Sequence, residues 1–423
     1  MDELRAATSP PINRDRLSRP TLTTTRPGVS RRMSALAWRL RQLPPWLQVT
    51  GIWLASRAVT TAILVFFAAF ERRTNWAGPH PNYLQFAQFW DSGWYHQIAL
   101  HGYPSVPPVT STGAVQENAW AFYPAYPDVV RALMTVSGLN WDILSVAVSL
   151  AFSLAGALMF HRLMRLVVPP ASALFAVVLL CIAPISAVQQ VGYAEPMGAF
   201  LLTAALYLLM RRRYLWLIPV VALMDLTRPI GPAFALLMVA HVVSRVVREP
   251  FSRRDRFRAG AAVVGSVAMA GAWPVIAWIA TGSPMAYVDS ELAWRARLAI
   301  GNPGLPFEAW FAQLWQLHAP VLSVAIIAAL VGLAVLLVAD RSVRRLGIDL
   351  RLWLGAYAIY LLAVFLPQSS TFRLLLPMSP LLGAAAVPRS GIWRLGLVVG
   401  SLLLQGVWIW FAWFDHGGSW SPP

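Results

Sequence analysis

Trp141 to Phe160, WDILSVAVSLAFSLAGALMF, is a run of twenty residues whose one charge, Asp142, stands at its start, and His161-Arg162-Leu163-Met164-Arg165 follows directly. Twenty helical residues rise about 30 Å, the depth of a bilayer's hydrocarbon core. A segment this apolar with a basic flank reads as a transmembrane helix. The pattern recurs outward from it, at 46–70, 168–190, 196–210, 214–227, 229–247, 259–281, 319–339, 352–367, 374–388 and 395–414. Together these make eleven candidate spans and predict an all-α polytopic membrane protein. Several are shorter than the roughly 20 residues of a straight crossing. The pair 196–210 and 214–227, joined by Arg211-Arg212-Arg213, is the least regular, its helices either extending into their flanks or breaking.

Composition agrees. Of 423 residues, 57% are hydrophobic and 12% charged, against roughly 45–50% apolar in soluble domains. Collagen-like, disordered and disulfide-rich chains are excluded. A net charge of +16 in a soluble domain would point to nucleic acid. Here the apolar runs assign it to a membrane, and no nucleic-acid partner is expected. The single cysteine, Cys181, lies in an apolar run. It permits no internal disulfide or Cys-based metal site and reads as a small buried side chain.

All 34 basic residues are Arg. Arginine-only basicity at this level points to a GC-biased genome, hence a bacterium such as an actinomycete. Clusters at 5–41, 162–165, 211–213, 245–258, 341–351 and 389–394 fall on one side if the spans alternate. That side holds 26 Arg and seven acids, about +19, and the other holds seven Arg and eleven acids, about −4. Arg57 sits inside the first span. The positive-inside rule then places the N-terminus in the cytoplasm and residues 415–423 outside, in a cell membrane. Residues 1–45 are a basic cytoplasmic tail, disordered over 1–32 and then amphipathic. They lack the apolar stretch and cleavage site of a signal peptide. Residues 46–414 form the transmembrane domain.

Two long outer loops emerge, 71–140 and 282–318. Loops longer than about 12–15 residues are uncommon unless functional or disordered, and the first is rich in Trp, Tyr, His and Pro. Within it, Trp90-Asp91-Ser92-Gly93-Trp94-Tyr95-His96-Gln97-Ile98-Ala99-Leu100-His101-Gly102-Tyr103-Pro104 reads as a short helix at the membrane surface. Asp91 serves as N-cap and Gly102 as stop. Trp90, Trp94 and Ile98 share a face suited to the interface or to packing. On local grounds alone Asp91 can be only a cap and the Trp residues only anchors.

The wider pattern adds a resemblance. Trp90-Asp91-Ser92, Ile98-Ala99, His101-Gly102-Tyr103 and Ala121-Phe122-Tyr123-Pro124-Ala125-Tyr126-Pro127 resemble the PIG-V family of GPI mannosyltransferases. That family shows a WDS-type motif, a following GY and an AFFPxYP-like segment. Tyr193-Ala194-Glu195-Pro196 looks like its YSE segment, and Thr227-Arg228-Pro229-Ile230-Gly231 like its TRxNG segment. Ser370-Thr371-Phe372-Arg373 resembles a late arginine-bearing turn. The chain departs at Pro229 and Ile230, which bears on the acceptor more than on the reaction. The resemblance implies a GT-C-class glycosyltransferase that takes a sugar, mannose, from a polyprenyl-phosphate carrier at the outer face. It implies an Asp in the first outer loop, the position of Asp91, and a glycolipid or glycan as acceptor.

One carboxylate suits that chemistry. Glycosyl transfer passes through an oxocarbenium-like transition state, and a polyprenyl phosphate leaves as a stable anion without protonation. What remains is to deprotonate the acceptor hydroxyl and to stabilise the departing phosphate. Asp91, near a helix N-terminus, is the expected base, and direct displacement inverts the anomeric centre. Arg228 and Arg373, at outer ends of spans, are the expected phosphate ligands. Their alternatives are snorkelling, or for Arg228 an internal pair with Asp225. Arg295 and Arg297 are expected to pair with Asp289 and Glu291. The sugar or acceptor pocket is assigned to Ser92, Tyr95, His96, His101, Tyr103, Tyr123 and Glu195, although Tyr103 and Tyr123 can equally be membrane-belt aromatics and Glu195 can orient the neighbours of Asp91 or be a solvated helix-start carboxylate. His96 and His101 lie five apart, not at the i, i+4 spacing of two helical metal ligands, so neither a metal nor any other cofactor is expected. The rival classes are a transporter or flippase of lipid-linked sugars, and an enzyme using another sugar such as arabinose.

Overall fold

The computed structural model describes residues 42–296, 306–307, 320–365 and 369–415. The tail at 1–32 and much of the loop at 282–318 lie outside them. The chain divides after Gln48, and one compact unit begins at Val49. Among the described residues there is no β-strand, only an isolated bridge between Val109 and Val115.

The protein is an all-α membrane protein. We number its principal helices α1 (Pro45–Phe70), α2 (Asp91–His101), α3 (Ala125–Ser137), α4 (Trp141–Met164), α5 (Pro170–Cys181), α6 (Glu195–Met210), α7 (Tyr214–Asp225), α8 (Gly231–Arg248), α9 (Arg253–Ala270), α10 (Ala272–Thr281), α11 (Ala286–Ala296), α12 (Pro320–Ala339), α13 (Gly347–Val364) and α14 (Gly391–Trp408). A π-turn, Ile409–Trp413, prolongs α14.

Helix occurs in each of the eleven apolar segments, but they are not eleven straight spans. Among the described residues five helices (α1, α4, α8, α13 and α14 with its π-turn) are long and apolar enough to cross, and α9 with α10, bent by 41° at their junction, forms either a broken sixth span or a re-entrant loop. Prolines set several of the breaks, because each removes a backbone donor and clashes with the preceding turn. The segment 374–388 is the clearest correction. It breaks into Thr371–Leu374, Leu376–Met378 and Pro380–Ala385, with Pro377 and Pro380 at the joints. The segment 168–190 ends its helix at Cys181 and resumes as the short turn Ser186–Gln190.

Packing follows from these lengths. Helix α4 lies along α6, α6 against α7, and α8 against both α9 and α13. Helices α2 and α3 pack on one another beside α4. Helix α2 is therefore built into the protein: Tyr95 and Ile98 are each 1% exposed, and Trp94 stacks on Phe122 with ring centroids 5.7 Å apart.

Arg57, without a visible partner in the sequence, finds two in the fold. Its guanidinium donates to the Cys181 carbonyl at 2.5 Å and to the Ser186 carbonyl at 2.8 Å. The last carbonyls of a helix lack intrahelical partners and carry partial negative charge. Arg57 thus caps α5 from a neighbouring span. Arg57→Met should lower stability by about 2–3 kcal/mol, the scale of hydrogen bonds to a charged group. Thermal unfolding of the detergent-purified protein measures this, and an unchanged midpoint would discard the capping role.

Candidate active site

Three connectors and one helix start meet at a common point. The first is the entry to α2. Residues Tyr83–Phe86 form a single turn closed by a reciprocal cap between Asn82 and Gln85, after which the chain reaches Trp90 with φ +64° and ψ −122°. A non-glycine residue in this region costs about 1–3 kcal/mol and persists only where surrounding structure holds it. Asp91 follows as the first helical residue. The sequence expectation made it the cap; instead Trp90 occupies the cap position and no side-chain cap bond forms. The Asp91 carboxylate is turned away to another partner. Gly102 ends α2 as expected, at φ +72° with its N–H donating to the Ile98 carbonyl.

The second contributor is the start of α6. Gly192 donates its N–H to the Ala87 carbonyl at 3.1 Å. A Cβ at this position would lie 2.7 Å from the Gln88 side-chain oxygen and closer still to Ser92 Oγ. Only glycine lets this segment pass beneath the first turn of α2. The Tyr193 hydroxyl then accepts the Asp91 N–H at 3.2 Å, and Glu195 opens α6 with a buried carboxylate.

The third and fourth are the turns carrying Arg228 and Arg373. Pro229 ends α7's continuation, and the Thr227 hydroxyl donates to the Leu223 carbonyl at 2.6 Å. Helix α13 holds both turns through one aromatic face. Trp353 donates to the Pro377 carbonyl at 2.8 Å, Tyr357 to the Leu374 carbonyl at 2.6 Å, and Tyr360 to the Pro229 carbonyl. None of the three was singled out from sequence. Their i, i+4, i+7 spacing within an apolar span was the available signal, since it lines up polar tips on one face.

These elements assemble an ion cluster. Arg373 Nη1 donates to Asp91 Oδ2 at 2.5 Å and to Glu195 Oε1 at 3.0 Å. Arg228 lies 3.2 Å from the same Glu195 oxygen and donates to the Tyr95 hydroxyl at 3.3 Å. The four charged side chains are only 4–15% exposed. This sets them apart from surface pairs, whose median worth is near 0–1 kcal/mol. Burial pulls the pKa of Arg373 down, but Asp91 and Glu195 more than offset it, so the group stays charged. For Arg228, burial is likewise outweighed, chiefly by Glu195. Burial pushes the Tyr95 hydroxyl above the ordinary phenol range, with partial relief from Arg228, so it remains neutral.

Three members of the cluster border one end of a narrow cavity that opens to the surroundings. Glu195, Arg228 and Arg373 form its polar end, and Ala199, Leu202, Ile230, Phe365, Leu374 and Leu376 line apolar walls. Two buried polar atoms in the cluster, Arg373 Nε and Glu195 Oε2, have no hydrogen-bond partner among the described residues. An anionic oxygen entering the cavity would find a ready donor at Arg373 Nε. Gly198 leaves room for the Arg228 side chain, which a Cβ there would meet at 3.0 Å.

Of the ten residues expected at the site, Asp91, Glu195, Arg228, Arg373 and Tyr95 come together. The other five do not. Ser92 is buried against Gln88 and Trp141. His96 stacks on Trp141 with ring centroids 5.1 Å apart, and burial lowers its pKa. His101 is exposed at the far end of α2. Tyr103 donates to the Phe122 carbonyl, and Tyr123 to the Tyr287 hydroxyl, both within an aromatic cluster around Trp120 and Trp273. These side chains pack the support of the site. The alternative pairing of Arg228 with Asp225 also gives way: Arg228 turns to Glu195, and both Asp225 oxygens are buried without a partner among the described residues. Glu291 accepts from Tyr287 at 3.3 Å, while its expected partners Arg295 and Arg297 have side chains outside the described residues.

No protein-family model matches the chain. Over 134 residues it is 33% identical to GPI alpha-1,6-mannosyltransferase 2 of Mus musculus, a match that covers 29% of this chain and 25% of that protein.

Proposed function

We propose that the protein is an integral-membrane glycosyltransferase that moves a sugar, mannose, from a polyprenyl-phosphate carrier to a glycolipid or glycan acceptor at the extracytoplasmic face of the cell membrane. The observation that carries this reading is the placement of Arg228, Arg373 and Glu195 at the polar end of an apolar-walled cavity, with Asp91 bonded to Arg373. Such a cavity suits a ligand with a charged head and a hydrocarbon tail. The partial similarity to a mannosyltransferase supports the sugar.

The chemistry balances with one base. The acceptor hydroxyl oxygen bonds to the anomeric carbon as the bond from that carbon to the phosphate oxygen breaks. The hydroxyl proton passes to Asp91, and polyprenyl phosphate departs. The donor is a phosphodiester with one negative charge, and the leaving group carries two. One unit of negative charge therefore moves from the Asp91 carboxylate to the phosphate. Arg373 is bonded to Asp91, so the donor must draw this guanidinium toward the phosphate before Asp91 can act. Its Nε, without a partner among the described residues, is the donor best placed to begin that exchange. Arg228 adds a second positive charge where the new negative charge develops. Glu195 holds both guanidiniums through one oxygen. In this reading it acts as an organiser of the arginines beside Asp91.

Direct displacement has a stereochemical signature. The purified protein in liposomes, given labelled β-linked polyprenyl-phosphate mannose and native membrane lipids, should form an α-mannoside. A β-linked product would discard the single-base mechanism. Movement of the labelled donor across the vesicle membrane without any glycoside formed would favour a carrier.

A further inference from the structure

The π-turn that follows α14 is built into the entry of α2. The Trp90 indole N–H donates to the Trp413 backbone carbonyl at 3.1 Å, and the Trp413 indole N–H donates back to the Phe86 carbonyl at 3.0 Å. Two residues on, the Asp415 N–H donates to Glu71 Oε2 at 3.0 Å, where α1 ends. The Trp413 ring is fully buried and lies 5.2 Å from the Tyr193 ring. The Tyr193 hydroxyl accepts the Asp91 N–H, and the Arg373 guanidinium sits 5.4 Å over the Tyr193 ring. Trp90, the residue before Asp91, and Tyr193, which accepts the Asp91 N–H, thus both touch Trp413.

Two further features mark the contact as more than ordinary packing. Trp90 holds a backbone conformation that L residues rarely adopt, and the residue it aims is Asp91. Such conformations persist only when neighbours over-determine them. Trp413 also lies in a π-turn, which rotates the carbonyls and side chains out of the α-helical register set by α14. A continuing α-helix would direct the Trp413 carbonyl forward along its axis, toward the N–H four residues on. The π-turn is followed by extended backbone at Phe414, at φ −69° and ψ 133°. This leaves the Trp413 carbonyl open to the Trp90 indole.

We infer that Trp90 and Trp413 are positioning residues that aim the Asp91 carboxylate, so that the C-terminal π-turn of α14 sets the catalytic geometry of the first loop. The inference rests on the proposed role of Asp91 as base. Neither tryptophan touches a reacting atom. Their effect is to fix the backbone of Trp90 in its strained conformation, and a catalytic group displaced by about 1 Å can cost on the order of a hundredfold in rate.

Phenylalanine at either position keeps a ring and deletes one indole donor. In the full-length protein, with labelled polyprenyl-phosphate mannose as donor and native membrane lipid as acceptor, Trp90→Phe should lower kcat about tenfold and leave donor KM within twofold. Trp413→Phe should do the same, and the double variant should fall no further than the deeper single one, because both bonds serve one restraint. Trp393→Phe is the control. Its indole donates to the Ala385 carbonyl near the start of α14, and its transfer should equal wild type. Wild-type kcat in both single variants, while Asp91→Asn is inactive, would overturn the positioning role and leave the base assignment intact. Loss of folded protein, or a KM rising as far as kcat falls, would also overturn it in favour of simple packing. Full activity in Asp91→Asn would remove the base, and the positioning role with it.

Discussion

Asp91→Asn is expected to lower transfer by about 10²–10⁴-fold, the usual contribution of a positioned general base, with little change in folding or donor affinity. The amide keeps the shape of the carboxylate, and its oxygen can still accept from Arg373. Glu195 continues to hold the same guanidinium nitrogen at 3.0 Å. The variant therefore removes the proton acceptor and one negative charge of the cluster, and Glu195 remains to compensate Arg373. Asp91→Ala should be equally inactive but somewhat less stable, because Arg373 then loses its 2.5 Å contact. Initial rates with labelled lipid-linked mannose, alongside retention on size exclusion, decide the matter. Wild-type rates in both variants would sink the assignment.

Arg373→Met should affect both rate and stability. It deletes the charge that faces the departing phosphate, for which a loss of about 10²–10³-fold is the expected scale. It also leaves Asp91 and Glu195 buried with Arg228 as the remaining cation of the cluster. Removing one member of a buried pair costs about 3–5 kcal/mol, since the other charge is left uncompensated. Arg373→Lys should recover most of the stability but little of the rate, because an ammonium cannot present two nitrogens in a fixed fork. The double variant Asp91→Asn/Arg373→Met should unfold at a higher temperature than Arg373→Met alone, a coupling that a double-mutant cycle measures directly. Additive losses would mean that the two side chains do not act as the pair described.

Much of the site was legible as residue types at turns. Arg228 and Arg373 stood out because few cations fall on their side of the Arg segregation, and both reach the cluster. Glu195 stood out as the acid beginning an apolar helix. What could not be read was direction. The short motifs around Asp91 list Ser92, His96 and His101 beside it, yet successive helical residues point about 100° apart, so neighbours in sequence diverge in space. Ser92 and His96 turn toward Trp141, while Tyr95, four residues on from Asp91, reaches Arg228. The same limit explains Tyr103 and Tyr123, which belong to a cluster with Trp273 from a distant helix.

The sequence by itself determined the class of this protein. Apolar runs of bilayer length and the paucity of charge admit no other solvent, because an unpaired backbone group in hydrocarbon costs several kcal/mol and helices satisfy theirs internally. That argument needs only one-dimensional information. Straightness and partnership do not follow from it. The segment 374–388 has the hydropathy of a span but breaks at its prolines, and Arg57 looked isolated until α5 presented its carbonyls. Only the tertiary structure brought Asp91, Glu195, Arg228 and Arg373 within hydrogen-bonding distance, across up to 282 residues of chain. A buried charge is tolerated only beside its counter-charge. The fold had to supply those partners from distant segments, and no local pattern encodes which ones.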